Sequence, residues 1–143
     1  MSDAWREARV ALDAIYEGVA ADLAARPGLF CELSGRCCRF REAGHQLWLT
    51  RLEYEAMVER GGAGEGGGDG VAECPWLGGG RCGNREGRAL ACRTYFCSDE
   101  AQANAVTESW HAEIRRLHER LAIPYDYRRL CDHRSRASAE GGA

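Results

Sequence analysis

The stretch CPWLGGGRCGNREGRALACRTYFC, Cys74 to Cys97, places Cys74, Cys82, Cys92 and Cys97 in one short, glycine-rich run. An earlier block, CELSGRCC, adds Cys31, Cys37 and Cys38, so seven of the eight cysteines fall in two short segments. Thiolates bind zinc and iron far better than hard cations, and clustered loop cysteines in a small intracellular domain chelate in preference to cross-linking. The fold to expect around them is α+β: a small, mainly helical domain with irregular cysteine-bearing loops and a short strand or hairpin around a metal site. Metal ligation would then supply stability that a small core lacks.

Outward from the cysteines, the pattern turns regular. Between the two blocks, HQLWLT (His45 to Thr50) has the length of a short strand, with Leu47 and Leu49 on one face and Trp48 on the other. Thr50 and Glu53 have capping-box spacing, so a helix should follow toward Arg60. Residues 61 to 70, GGAGEGGGDG, lack the Lys-Ser/Thr of a phosphate-binding loop and read as a surface linker. Residues 3 to 25 carry Trp5, Leu12, Ile15, Val19 and Leu23 at helical spacing, stopped by Pro27-Gly28. After Cys97, Ser98 or Asp99 can cap a helix over 99 to 121 with Val106, Trp110, Ile114, Leu117 and Leu121 as its stripe, ending before Pro124. Beyond Cys131 a polar tail, about 134 to 143, should be disordered.

At 143 residues the chain suits a single domain, 1 to 143, with a metal-binding core over about 30 to 97. Acidic residues interrupt the amino-terminal segment, so it has no apolar signal-peptide region. No stretch approaches the roughly 20 apolar residues of a membrane span. A cytoplasmic location, with no membrane partner, is the expectation. Net charge is -3, which argues against nucleic acid and leaves an unknown protein redox or interaction partner. The chain has no lysine: its 19 cationic side chains are all arginine, which excludes Schiff-base and lysine-base chemistry.

The cysteine spacing, C-x5-C-C and then C-x7-C-x9-C-x4-C, fits no zinc knuckle, ferredoxin or radical S-adenosylmethionine template. Adjacent side chains diverge, so Cys37 and Cys38 should not bind one ion equivalently. Arg36, Arg39, Arg41, Arg81, Arg85, Arg88 and Arg93 flank the cysteines and could lower thiol pKa values and offset an anionic centre; as ordinary loop arginines they would simply be solvated. Of the histidines, His45 has no distinguishing context, while His111 and His118 lie beside the apolar stripe and read as surface residues. His133, in Cys-x-His order after Cys131, is the best nitrogen candidate. Whether Cys131, His133 or Ser34 completes a ligand set stays open. No Ser-His-Asp order or carboxylate pair supports a hydrolase.

Taken together, the blocks at Cys31 to Cys38 and Cys74 to Cys97 resemble the YkgJ-type cysteine-cluster family of zinc- or iron-chelating domains, over roughly residues 30 to 97. The family's C-x-x-C-x-x-C-C hallmark appears as CELSGRCC, with Ser34 where the second cysteine belongs. Its C-P-F-L block appears as CPWL, followed by Cys82, Arg88 and CRTYFC. Asn84-Arg85 stand for the usual Ile-Tyr, Ala89 for a proline, and Phe96 for the proline before the last cysteine. The resemblance implies a metal held by Cys31, Cys37, Cys38, Cys74, Cys82, Cys92 and Cys97. The first expectation is an iron-sulfur cluster, four-iron four-sulfur in type, with a redox or electron-transfer role. Seven thiolates exceed what one zinc requires. A structural zinc module for protein interaction is the alternative. Enzyme status stays open: an iron-sulfur oxidoreductase fits, whereas a methyltransferase like the family's flagellin-modifying relative has little room here.

Overall fold

Two long amphipathic helices make the frame of one of the two compact units into which the chain divides, Met1–Cys31 with Leu90–Tyr125 and Glu32–Ala89 with Asp126–Ala143. The computed structural model describes residues 2–29, 36–62, 64, 70–79, 81–96 and 98–141. The architecture is α+β and mostly helical.

In the first unit, α1 (Asp3–Ala24) starts where the Ser2 hydroxyl accepts the Trp5 N–H, and it buries Ala8, Leu12, Tyr16 and Val19. Helix α5 (Glu100–Leu121) is capped by Asp99, whose carboxylate accepts the Gln102 N–H, and it buries Ala103, Val106, Ile114, Leu117 and His118. The two helices pack through Trp110. Its ring lies over Gly18, where a Cβ would come within 2.6 Å of it, and its indole N–H donates to Asp22 at 2.8 Å. A short α4 (Leu90–Arg93) sets the Arg93 guanidinium 3.9 Å from the Tyr16 ring centroid, a cation–π contact. Ala122, at φ 52°, ends α5 by turning its N–H onto the Glu119 and His118 carbonyls.

The second unit begins, within the described residues, with a 3-10 turn at Arg36–Cys38 and then α2 (Phe40–Ala43). Strand β1 (Trp48–Thr50) runs straight into α3 (Arg51–Gly61). The capping box foreseen at Thr50 and Glu53 is present and fully buried: the Glu53 N–H donates to Thr50 Oγ1 at 3.2 Å, and the Thr50 N–H to Glu53 Oε2 at 3.0 Å. A hairpin, β2 (Leu77–Gly78) and β3 (Arg81–Cys82), carries part of the second cysteine block. Antiparallel to β1 lies β4 (Tyr127–Arg129), which pairs Trp48 with Arg129 and Thr50 with Tyr127.

Helix α6 (Leu130–Gly141) follows and occupies most of the stretch for which the sequence suggests a disordered tail. What orders it is apolar and aromatic anchoring. Leu130 is 1% exposed and His133 fully buried; the His133 ring stacks on Tyr54 at 5.5 Å and its Nε2–H donates to the Leu49 carbonyl at 2.9 Å. Polar residues alone would not hold this helix, since isolated helices of this length are marginal in water. No helix among the described residues is long and apolar enough to cross a membrane.

Candidate metal centre

The two cysteine blocks of the second unit meet through their backbones. The Cys74 N–H donates to the Cys38 carbonyl at 2.7 Å, and the Arg41 N–H to the Ala72 carbonyl at 3.0 Å. These bonds hold the 3-10 turn bearing Cys37 and Cys38 against the start of CPWL. The His45 imidazole Nε2 lies 3.2 Å from the Cys37 carbonyl oxygen.

Past Cys74, the Leu77 N–H closes a turn onto the Cys74 carbonyl at 3.1 Å, and the hairpin brings Cys82 opposite Leu77. Gly83 then approaches closely enough to donate to the Trp76 carbonyl at 2.7 Å, the same distance at which a Cβ on it would strike that oxygen. Two side chains fasten this loop to the open end of α3. Trp76 Nε1–H donates to the Gly61 carbonyl at 3.0 Å and Asn84 Nδ2–H to the Met57 carbonyl at 2.9 Å. The Gly61 carbonyl is one of the last four of the helix, where partners within the helix run out. The Asn84 backbone N–H, in turn, points at Cys82 Sγ at 3.4 Å.

Within this frame Cys38 is the hub: the thiols of Cys37, Cys74 and Cys82 lie near enough to act on its proton. The 3-10 turn thus keeps Cys37 and Cys38 in contact where the sequence suggests divergence. Cys38 and Cys74 are each 3% exposed, whereas Cys37 and Cys82 are half-buried. The proton economy follows the hub. Cys38 holds its proton far more firmly than an ordinary thiol, first because of its bond with Cys37 and then those with Cys74 and Cys82. The three satellites lose theirs more readily. Cys37 falls to about 7, led by the Cys38 hydrogen bond with help from Arg88. Cys82 falls to about 6, again led by Cys38 and assisted by the Asn84 N–H, Arg88 and Arg85. Cys74 is also lowered, with Cys38 first and the Trp76 backbone N–H second. Of the flanking arginines, Arg85 and Arg88 therefore act on the thiols. Arg93 sits over Tyr16, and Arg39 lies 3.9 Å from Glu42.

In kind and number, four sulfur donors, three of which shed protons easily, suit a thiophilic metal, which must be bound by thiolate. Among the described residues, no three His, Cys, Asp or Glu side chains stand around a common point as ligands of one ion; the thiols meet pairwise on Cys38 instead. The rest of the expected set is distributed differently. Cys92 lies on α4, in the first unit, while Cys31, Cys97 and Ser34 fall outside the described residues. Cys131 is on α6 with its thiol 4.0 Å from Asp132 Oδ1, and His133 is committed to Leu49. His118, read from sequence as a surface residue, is 2% exposed with neither ring nitrogen hydrogen-bonded. His111 contacts the Tyr125 hydroxyl.

Sequence reading missed Asn84 as the link between α3 and Cys82. Gly61 and Gly87, which crowd it from both sides, were the available signal. No family model matches the chain, and no curated protein or solved structure matches it.

Proposed function

We propose that the chain is a cysteine-cluster metal protein whose centre is held by Cys37, Cys38, Cys74 and Cys82, and that its metal is an iron-sulfur cluster, four-iron four-sulfur in type, serving electron transfer. The observation that carries this reading is the convergence of three readily ionised thiols on a fourth, buried one, across two blocks tied by the Cys74–Cys38 backbone bond. The likeness of those blocks to the YkgJ-type family points the same way. A cluster bound there would supply one-electron redox chemistry. The protein's own part is burial of Cys38 and Cys74, charge from Arg85 and Arg88, and an N–H to the Cys82 sulfur. Groups of this kind tune such centres.

A structural zinc module is the second reading, favoured by the number of thiols gathered in the second unit: four are what one tetrahedral zinc takes. Anaerobic purification decides between them. A brown protein with iron and sulfide in matched amounts supports the cluster; a colourless one with stoichiometric zinc replaces it with the module. Loss of metal in Cys38→Ser is expected under both, and wild-type metal content in that variant would overturn both. Cys92→Ser tests the thiol on α4. A fall in metal content and thermal stability together would make Cys92 a ligand, and unchanged metal would remove it.

A further inference from the structure

We propose that the exposed cleft between α1 and α5 is a docking surface for a second copy of this chain, and that the pair closes about a two-fold axis running along the helices. The inference concerns the first unit alone and rests on no metal.

The cleft follows from residue size. On the α1 side it is lined by Ala11, Ala14 and Gly18, which are too short to fill the space beside Trp110, Leu117 and Arg120 of α5. A volume of about 680 Å³ is left open along the helix pair. On α1, one turn from Ala14, Val10 is 72% exposed. A large apolar side chain beside an unfilled, largely apolar cleft is surface that a further helical layer would remove from water.

Charge says what that layer is. Glu7, Val10, Ala14 and Glu17 recur at steps of three and four along α1 and are all exposed, as are Glu113, Arg116 and Arg120 on α5. Arg116 pairs with Glu113, whereas Glu7, Glu17 and Arg120 have no ion-pair partner among the described residues. One rim is thus acidic and the other carries unpaired basic charge. A foreign helix of one sign suits one rim and is repelled by the other, but a second copy brings both signs. The helices run antiparallel, with Trp110 over Gly18 and Arg26 Nη1 donating to Gln102 Oε1 at 3.4 Å, so the Glu7 end of α1 lies level with the Arg120 end of α5. A two-fold axis along the helices keeps those levels and exchanges the helices. Each α1 then covers the other copy's α5, Glu7 meets Arg120 twice, and Val10 enters the facing cleft, as a self-complementary interface requires. Each helix has 22 residues, so the pair presents a face about 33 Å long and about 20 Å wide, approaching the roughly 800 Å² per partner of a standard interface.

The test is sedimentation equilibrium of the full chain with reductant present, so that intermolecular disulfides do not contribute, over about 1–100 µM. The expected result is a reversible monomer–dimer equilibrium with its midpoint in that range. Glu7→Arg and Arg120→Glu should each weaken it roughly tenfold or more, and the two together should return it to within about threefold of wild type, because the exchanged charges meet again across the axis. Val10→Asp should leave monomer throughout. All three side chains are exposed, so circular dichroism should show native helix content in every variant, and the double exchange controls for local damage by the single ones. A wild-type chain that is monomeric at about 100 µM overturns the proposal. A dimer that Arg120→Glu and Val10→Asp leave intact does so too, as does a double exchange that fails to restore what the single exchanges remove.

Discussion

Gly61→Ala should destabilise this protein, although by helix propensity alone it should help. Gly61 closes α3, its φ is not positive, and Ala in place of Gly within a helix is worth up to about 1 kcal/mol. A Cβ built there, however, lies 2.3 Å from Asn84 Nδ2 and 2.4 Å from its Cγ. Asn84 is buried and held by its bond to the Met57 carbonyl, so it cannot yield without losing that bond. The new methyl must therefore break the buried Asn84–Met57 bond, which costs about 1–3 kcal/mol, or force the loop outward at a similar overpacking cost. Net of the propensity gain, about 1 kcal/mol should be lost, a fall in Tm of roughly 3 °C for a chain of this length. On the proposed metal reading, metal content should fall too, because the residue displaced is the one whose N–H reaches Cys82. Thermal unfolding by circular dichroism and metal analysis would read both effects. In an Asn84→Ala background the same substitution should be neutral or stabilising, a non-additivity that a double-mutant cycle isolates. A Gly61→Ala protein as stable as wild type, with full metal, would refute the reasoning.

Three further outcomes are expected. Thr50→Ala should cost about 1–2 kcal/mol in urea unfolding by removing the buried cap of α3, and Thr50→Ser should restore most of it. Burial holds the His133 pKa below its usual 6.5, against the opposing pull of its Leu49 bond. The unfolded chain therefore takes a proton that the native state refuses: stability is full above 6.5 and falls with pH from there down to the native value, by at most about 1.4 kcal/mol per pH unit. His133→Gln should flatten that limb, and an unchanged slope in chemical unfolding across pH 5–7 would count against it. The Trp110 and Arg26 hydrogen bonds lower Asp22, so its contribution is present above the ordinary carboxylate value of 3.8 and is lost as pH falls through the lowered one. Trp110→Phe should shrink the acid-induced loss of stability.

Sequence was most informative where a local pattern sufficed. The helices over Asp3–Ala24 and Glu100–Leu121 answer to apolar spacing and caps, and the Thr50–Glu53 box to two residues three apart. The exposed Trp48 between buried Leu47 and Leu49 answers to a period of two. It was least informative where distant residues decide. Nothing near Trp48 announces Arg129 as its strand partner, and α6 is ordered by the fit of Leu130 and His133 onto β1 and α3, in a segment that composition alone makes polar. At the centre, clustering made the cysteines legible as a group. Which of them meet depends on a backbone bond from Cys74 to Cys38 and on two side chains closing the end of α3.

The crossing of the chain between its two units bears on synthesis. The first unit gains α5 only after the whole cysteine-bearing stretch has been made, and β1 meets β4 later still. A nascent chain would thus present Cys37, Cys38, Cys74 and Cys82 on the ribosome before the strand and helix that complete their unit exist, and late pairings of this kind are slow and leave intermediates exposed. On the proposed metal reading, delivery of a metal at that point, by tying the two early segments together, would give the growing polypeptide a nucleus around which β4 and α6 could later settle.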